Sequence, residues 1–362
     1  MANFHYDNIN IAGIACAVPE ASQFINTDPA HPAASYNANF TKQTGIKQRH
    51  ISKTEQTGVD LGYIALQAAL KKANWLPESL DGLIFLTQTP DFNMATGNAF
   101  LLHKHLNLPD TVFVFDVAQG CAAFPYGLSL AGAYLQQKSI KRIALVIGDV
   151  MWPTYANRAE LENAATFLTG DAVGAVLVEK KAEASELDIT LFSDGAGYHF
   201  LYDPWGGTRN RWRHVPGKLP NGEVYNGGPY MDGLEIMSFS TMRVTEDIKK
   251  FMYDHGWTLD DFDSVILHQA NLQILKTMRR RLRIGEDKFP ISVDRYANTN
   301  GASVLVSMAD TYGGQTGKIR LLVSAFGIGL SWGIAALDIQ KGIIAPMQFT
   351  NHKFDEDLLS PL

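Results

Sequence analysis

Short apolar runs alternate along this chain with stretches whose apolar residues recur at helical spacing. Residues 10–19 form a β-rich run closed by Pro19. Further runs rich in Val, Ile, Leu and Phe cover 80–89, 110–119, 142–150 and 172–179. Between them, 60–75 and 121–138 carry apolar residues every three or four positions. Continuous apolar runs predict strands covered on both faces, and their alternation with helices predicts an α/β fold.

The second half partly repeats the first. The stretches 73–86 and 255–268 each follow an amphipathic helical pattern and carry a Trp, acidic residues and an Asp leading into a strand. Trp75 corresponds to Trp257, Asp81 to Asp263 and Ile84 to Ile266 at one constant offset. The runs 142–148 and 319–327 correspond in the same order. An internal duplication is expected, joined near the charged stretch 180–187. It divides the chain into an N-terminal half 1–182, a C-terminal half 183–345 and a tail 346–362. The region 194–230 is rich in Gly, Pro and aromatics and reads as a long irregular insertion of the kind that often serves function.

Composition narrows the class. The chain has 362 residues and a formal net charge of -6, without the basic surplus of a nucleic-acid binder. Two cysteines cannot build a disulfide framework, and a cytoplasmic location is expected. The N-terminus has no signal-peptide pattern, and no apolar run reaches the roughly 18 residues of a membrane helix.

The candidate chemistry sits at element boundaries. Cys121 follows a strand run and Gly120 and opens a helical pattern. The first turn of a helix has unpaired N–H groups and partial positive charge, which favour a thiolate nucleophile. Read alone, the same residue fits equally as a small buried hydrophobe, and Cys16 reads as core. His268 ends the strand-like segment 263–267 and leads into Gln269, Ala270 and Asn271. Asn298 and Asn300 lie in a polar, Gly-containing turn before a helix, which is also ordinary turn and cap chemistry. Residues 324–339 bend at Gly327 and Gly329. The bend reads as a hairpin that can also present backbone N–H groups.

Taken together, 44–51 (TGIKQRHI), 116–131, 168–179, 266–271 (ILHQAN), 296–303 (YANTNGAS) and 326–333 (FGIGLSWG) resemble the β-ketoacyl-acyl-carrier-protein synthase III family of the thiolase superfamily, in the family's order. The resemblance implies an α/β, thiolase-like, duplicated αβαβα five-layer sandwich with mainly parallel five-stranded sheets, and a homodimer. It implies acyl transfer from a thioester donor to Cys121, then decarboxylative Claisen condensation with a malonyl-type or β-ketoacyl thioester. Cys121, His268 and Asn298 match the catalytic residues, and the backbone N–H groups of Cys121 and Ile328 match the oxyanion hole. Arg280 and Arg281 match a basic pair that docks acyl carrier protein. Phosphopantetheine thioesters are the implied substrates, on acyl carrier protein or as acyl-CoA. No metal or other cofactor, nucleic acid or membrane is implied.

The chain also departs from the family. Relatives that take acetyl-CoA carry Trp and Arg where Asn39 and Gln43 stand here, and an Arg where Gln273 stands. That favours a donor on acyl carrier protein, or a longer acyl thioester. Alternatives on the same residues are an acyltransferase forming an ester or amide and a condensing, cyclising enzyme of secondary metabolism. A non-catalytic partner subunit and an unrelated cysteine hydrolase fit less of the pattern.

Overall fold

A computed structural model describes residues 1–25, 27, 34–52, 56–92, 96–151, 168–182, 184, 186–203, 208, 217–218, 224–225 and 229–355. Eleven strands in two sheets carry the fold. They are β1 (Ala2–Tyr6), β2 (Ile9–Pro19), β3 (Gly82–Leu86), β4 (Phe113–Val117), β5 (Arg142–Asp149), β6 (Ala172–Lys180), β7 (Leu187–Ser193), β8 (Ser264–Leu267), β9 (Lys318–Gly327), β10 (Ser331–Gln340) and β11 (Gln348–Thr350). The first sheet has the order β11-β2-β6-β5-β3-β4 and the second β1-β7-β10-β9-β8.

Seven helices separate and cover these sheets: α1 (Ala34–Thr44), α2 (Gly58–Ala73), α3 (Asn98–His105), α4 (Ala123–Leu135), α5 (Thr245–Asp254), α6 (Leu272–Leu282) and α7 (Ser303–Tyr312). Strand alternation assigns each apolar residue to a layer. On β5, Ile143, Leu145 and Ile147 face a central core shared with α4 and α7 and with Leu321, Val323 and Ala325 of β9. Ala144 and Val146 face the opposite way, onto α2 and α3. On β9, Leu322 and Phe326 turn outward to α5 and α6. The result is a five-layer αβαβα sandwich, with α4 and α7 as the middle layer.

The duplication is visible in atomic detail. Asp81 accepts the Lys141 and Arg142 amides at 2.7 and 2.9 Å. Its own N–H donates to the Arg142 carbonyl at 2.9 Å. Asp263 repeats this with Arg320, accepting its amide at 2.8 Å and donating to its carbonyl at 2.9 Å. The Arg142 guanidinium lies 4.6 Å from the Trp75 ring centroid, and Arg320 lies 4.7 Å from that of Trp257. Each half thus pins the entry of its equivalent strand with the same carboxylate and the same cation–π pair.

One expectation needs correction: the first sheet has six strands with three of its five pairings parallel, and the second is mainly antiparallel. In the second, only β8 and β9 run parallel, while β9–β10, β10–β7 and β7–β1 are antiparallel. The chain termini also cross over: β1 extends the second sheet and β11 the first. Apolar runs buried on both faces read alike in either direction, so the strand sense was not encoded in the pattern. Of the insertion at 194–230, the described residues include a 3₁₀ turn at Gly195–Phe200 and the pairing of Leu201–Tyr202 with Tyr230–Met231. Much of the rest lies outside the described residues, as does 356–362 of the tail.

The middle layer should be the most sensitive to truncation. Phe124 of α4 is fully buried between the sheets. Phe124→Ala is expected to cost about 3–5 kcal/mol, read as a lowered denaturant midpoint at unchanged m-value.

Candidate active site

The site assembles where the C-terminal ends of β3, β5 and β8 meet the β9–β10 bend. Cys121 lies in the turn after β4, closed by the Ala123 amide on the Gly120 carbonyl at 2.9 Å. It stands two residues before the first residue of α4, whereas the sequence pattern put it at the helix start. The side chain is buried, and Gly327 at the end of β9 packs directly on it. A Cβ at Gly327 would stand 2.7 Å from the Cys121 Cβ and 2.9 Å from its Sγ. The backbone N–H groups of Ile328 and of Cys121 itself lie close enough to the sulfur to favour its ionised form. Ile328 is held in turn: its carbonyl accepts the Ser331 hydroxyl at 2.7 Å, and Gln119 donates to Ser331 Oγ at 2.8 Å.

His268 caps β8, and its N–H donates to the Ser324 carbonyl of β9 at 2.9 Å. Its ring meets Phe326 edge-on at 5.3 Å between centroids, one residue before Gly327. Nδ1 lies 2.6 Å from Ser303 Oγ, while Nε2 makes no hydrogen bond among the described residues. Asn298 bridges Thr169 of the first half, its N–H donating to the Leu168 carbonyl at 2.9 Å. Its Oδ1 accepts the Asn300 amide at 3.0 Å, which the left-handed backbone of Asn300 (φ 48°) makes possible. With the carbonyl side engaged, the carboxamide NH₂ is the group left to donate. Gly301 then reaches the first half, 3.4 Å from Asp149 Oδ2 through its N–H. A Cβ there would lie 3.2 Å from the Gly120 carbonyl. The Cys turn, the His strand end and the Asn turn therefore share one seam between the halves.

Burial governs the electrostatics. It pushes the Cys121 thiol up to about 12, helped by the nearby Asp149 and opposed by the Ile328 and Cys121 amides. It pushes His268 down to about 3. Burial also raises Asp149, against hydrogen bonds from the Gln88 and Gly301 amides and the Thr87 and Thr89 hydroxyls. Burial thus favours the thiol form of Cys121 and the neutral form of His268 at neutral pH. The Ile328 and Cys121 amides favour ionisation, but desolvation outweighs them.

Arg280 and Arg281 are both exposed on α6, where they diverge. Arg281 faces Glu246 of α5 at 3.7 Å. Arg280 lines a groove of about 650 Å³ between α1 and α6, together with Asn39, Lys42, Gln43, Gln273 and Lys276. Asp149, Ser303 and the Gln119–Ser331 pair were missed by the sequence reading. A polar residue ending the apolar run 142–148 was the one available signal for Asp149.

Comparison with known proteins gives the family and the fold. Residues 115–197 match the family model for 3-oxoacyl-[acyl-carrier-protein (ACP)] synthase III, and 252–339 match the model of its C-terminal part. The β-ketoacyl-[acyl-carrier-protein] synthase III of Aliarcobacter butzleri is 33% identical, covering 82% of this chain and 87% of the relative. The chain belongs to this synthase III family. The enzyme of that name from Caldanaerobacter subterraneus is 32% identical over 83% of this chain and 89% of its own. A 3-oxoacyl-(acyl-carrier protein) synthase from Burkholderia xenovorans superposes with a TM-score of 0.85 at 25% identity, covering 96% of this chain and 99% of that one. The thiolase-like sandwich is the fold of these synthases. Among the described residues, no helix is long and apolar enough to cross a membrane, and no cluster of three His, Cys, Asp or Glu could hold a metal ion.

A protonated resting thiol has a kinetic signature. Iodoacetamide labelling of Cys121 should be slow at pH 7 and rise about tenfold per pH unit without levelling off by pH 9. A plateau below pH 8 would reveal a preformed thiolate.

Proposed function

We propose that this synthase III family member acylates Cys121 and then performs a decarboxylative Claisen condensation. The observation that carries the reading is the direct packing of Gly327 on Cys121, which brings the Ile328 amide of the second half beside the sulfur and the Cys121 amide of the first. Those amides would also face the oxygen of an acyl group held on that sulfur. In the first step the Cys121 sulfur attacks the donor thioester carbonyl, the carbonyl–sulfur bond of the donor breaks, and the thiol proton ends on the departing thiol. In the second, a malonyl thioester loses carbon dioxide and leaves an enolate. His268 Nε2–H and the Asn298 NH₂ donate to the thioester oxygen where charge grows, each contributing about 3 kcal/mol of barrier lowering. The enolate carbon attacks the acyl-Cys carbonyl, the carbon–sulfur bond breaks, and a β-ketoacyl thioester leaves as Cys121 regains a proton. No electrons change hands with a redox partner and hydrogen bonds meet the developing charge, so the cycle calls for no metal or redox cofactor.

The groove between α1 and α6 is the proposed route for the phosphopantetheine arm. Its walls hold Lys42, Lys276 and Arg280, cations suited to a phosphate, but Asn39, Gln43 and Gln273 offer no aromatic platform for adenine. A carrier-protein donor, or a longer acyl thioester, fits this wall better than acetyl-CoA. We further propose a cytoplasmic homodimer. Its interface would form along β4, an outer edge strand half-buried throughout, where the rings of Phe113, Phe115 and Tyr134 cluster within 6.2 Å of one another.

Weighing the intact protein after exposure to matched acyl-CoA and acyl-carrier-protein donors tests the donor. The Cys121 adduct should form faster from the carrier protein, and efficient loading from acetyl-CoA would overturn that preference. On adding a malonyl thioester, carbon dioxide should be released. His268→Ala and Asn298→Ala should each slow release about 10²–10³-fold. Acyl transfer without carbon dioxide would instead identify an ester- or amide-forming acyltransferase. For the assembly, light scattering should give a dimer that Phe115→Asp converts to monomer.

A further inference from the structure

We propose that Ser303 is a positioning residue that sets the tautomer of His268, donating its hydroxyl proton to Nδ1 so that the ring proton resides on Nε2. For its consequence the inference rests on the condensing reading above. It explains how a neutral histidine can serve there as a hydrogen-bond donor.

The tautomer follows from the partners of one buried hydroxyl. Ser303 is 1% exposed, and its Oγ has two partners among the described residues. One is the Gln269 backbone N–H at 3.4 Å, which can only donate, so it occupies a lone pair of Oγ. The other is His268 Nδ1 at 2.6 Å. If Nδ1 carried the proton, Oγ would accept both contacts and its own O–H would be a buried donor without an acceptor. Buried polar hydrogens are rarely left so. Ser303 O–H therefore points at Nδ1, and the neutral ring keeps its proton on Nε2, the nitrogen with no protein partner among the described residues. Ser303 is also the first residue of α7, whose positive end opposes a charged imidazolium beside it.

The position of Ser303 follows from the turn that carries Asn298. Asn298 Oδ1 engages the Asn300 amide, a 3₁₀ turn spans Asn300–Ala302, and Ser303 begins the helix. One local structure thus orients both proposed donors. It frees the NH₂ of Asn298 and puts the ring proton of His268 on Nε2. In this tautomer Nε2 cannot accept the Cys121 proton, so acylation and condensation should respond differently to loss of Ser303.

The test begins with wild-type protein labelled with ¹⁵N at histidine, and His268→Asn serves to assign its signals. Long-range proton–nitrogen spectra at pH 7–8 should show an unprotonated Nδ1 and a protonated Nε2. Ser303→Ala should perturb that pattern and lower kcat for malonyl decarboxylation about 10- to 100-fold, as expected when an orienting partner is lost. KM should stay within about twofold and the rate of Cys121 acylation within about threefold. Ser303→Thr, which keeps a hydroxyl, should restore the wild-type spectrum. A protonated Nδ1 in the wild type, or Ser303→Ala with unchanged spectrum and kcat, would overturn the assignment. A wild-type protein that decarboxylates no malonyl thioester would sink the condensing reading alone, because the spectra report the tautomer without turnover.

Discussion

The contact on which the rest depends is the packing of the Gly327 backbone against the Cys121 sulfur. Any side chain at 327 would occupy the space of the thiol. Its absence lets the end of β9 approach closely enough for the next residue, Ile328, to direct its N–H at the sulfur. That approach also fixes the two sheets relative to each other at the level where the chemistry sits. Phe326 and Ser324, on the same strand, hold the His268 ring and backbone. One strand end therefore sets the positions of Cys121, the Ile328 amide and His268, the groups proposed to carry the chemistry. Strand-mounted groups have little freedom to drift, which suits a site where an error of an ångström is costly.

Burial at this seam has a second consequence. Desolvation favours the neutral form of both the Cys121 thiol and the His268 imidazole. The buried Asp149 adds to this on the thiol. Asp149 also gathers hydrogen bonds from the loop after β3 and from Gly301, so it ties the Asn turn to the first half. A neutral histidine is a poor charge stabiliser by Coulomb attraction yet a good directed hydrogen-bond donor. The site's electrostatics thus favour donors aimed at an oxygen over an ion pair held in reserve.

Much of the architecture was legible because strands covered on both faces are apolar throughout and helices between them are periodic. Asp81 and Asp263 made the duplication readable, since each performs the same local task of bonding the amide of a neighbouring strand. Strand direction and the exchange of β1 and β11 between sheets were not readable. Their residues, Ala2–Tyr6 and Gln348–Thr350, are short edge pieces whose partners lie far along the chain. In the candidate site, Cys121, His268, Asn298 and Ile328 stood out in the sequence as boundary residues within motifs, and the structure places each at an element end along the seam. Ser303 was not, because a serine opening a helix has an ordinary local explanation. The ionisation state of Cys121 was not either, because helix position is local information whereas desolvation depends on what other segments bring.

The same contrast separates the two proposed binding regions. The seam at Cys121 is built from both halves and admits little variation, since glycines at 301 and 327 meet the opposite half at contact distance. The groove between α1 and α6 is lined by exposed side chains whose identity does not alter the backbone. On the proposed reading, the chemistry is held by backbone packing at a buried seam and donor recognition by a solvent-facing wall, so that Asn39, Gln43 and Gln273 can vary without disturbing the backbone around Cys121.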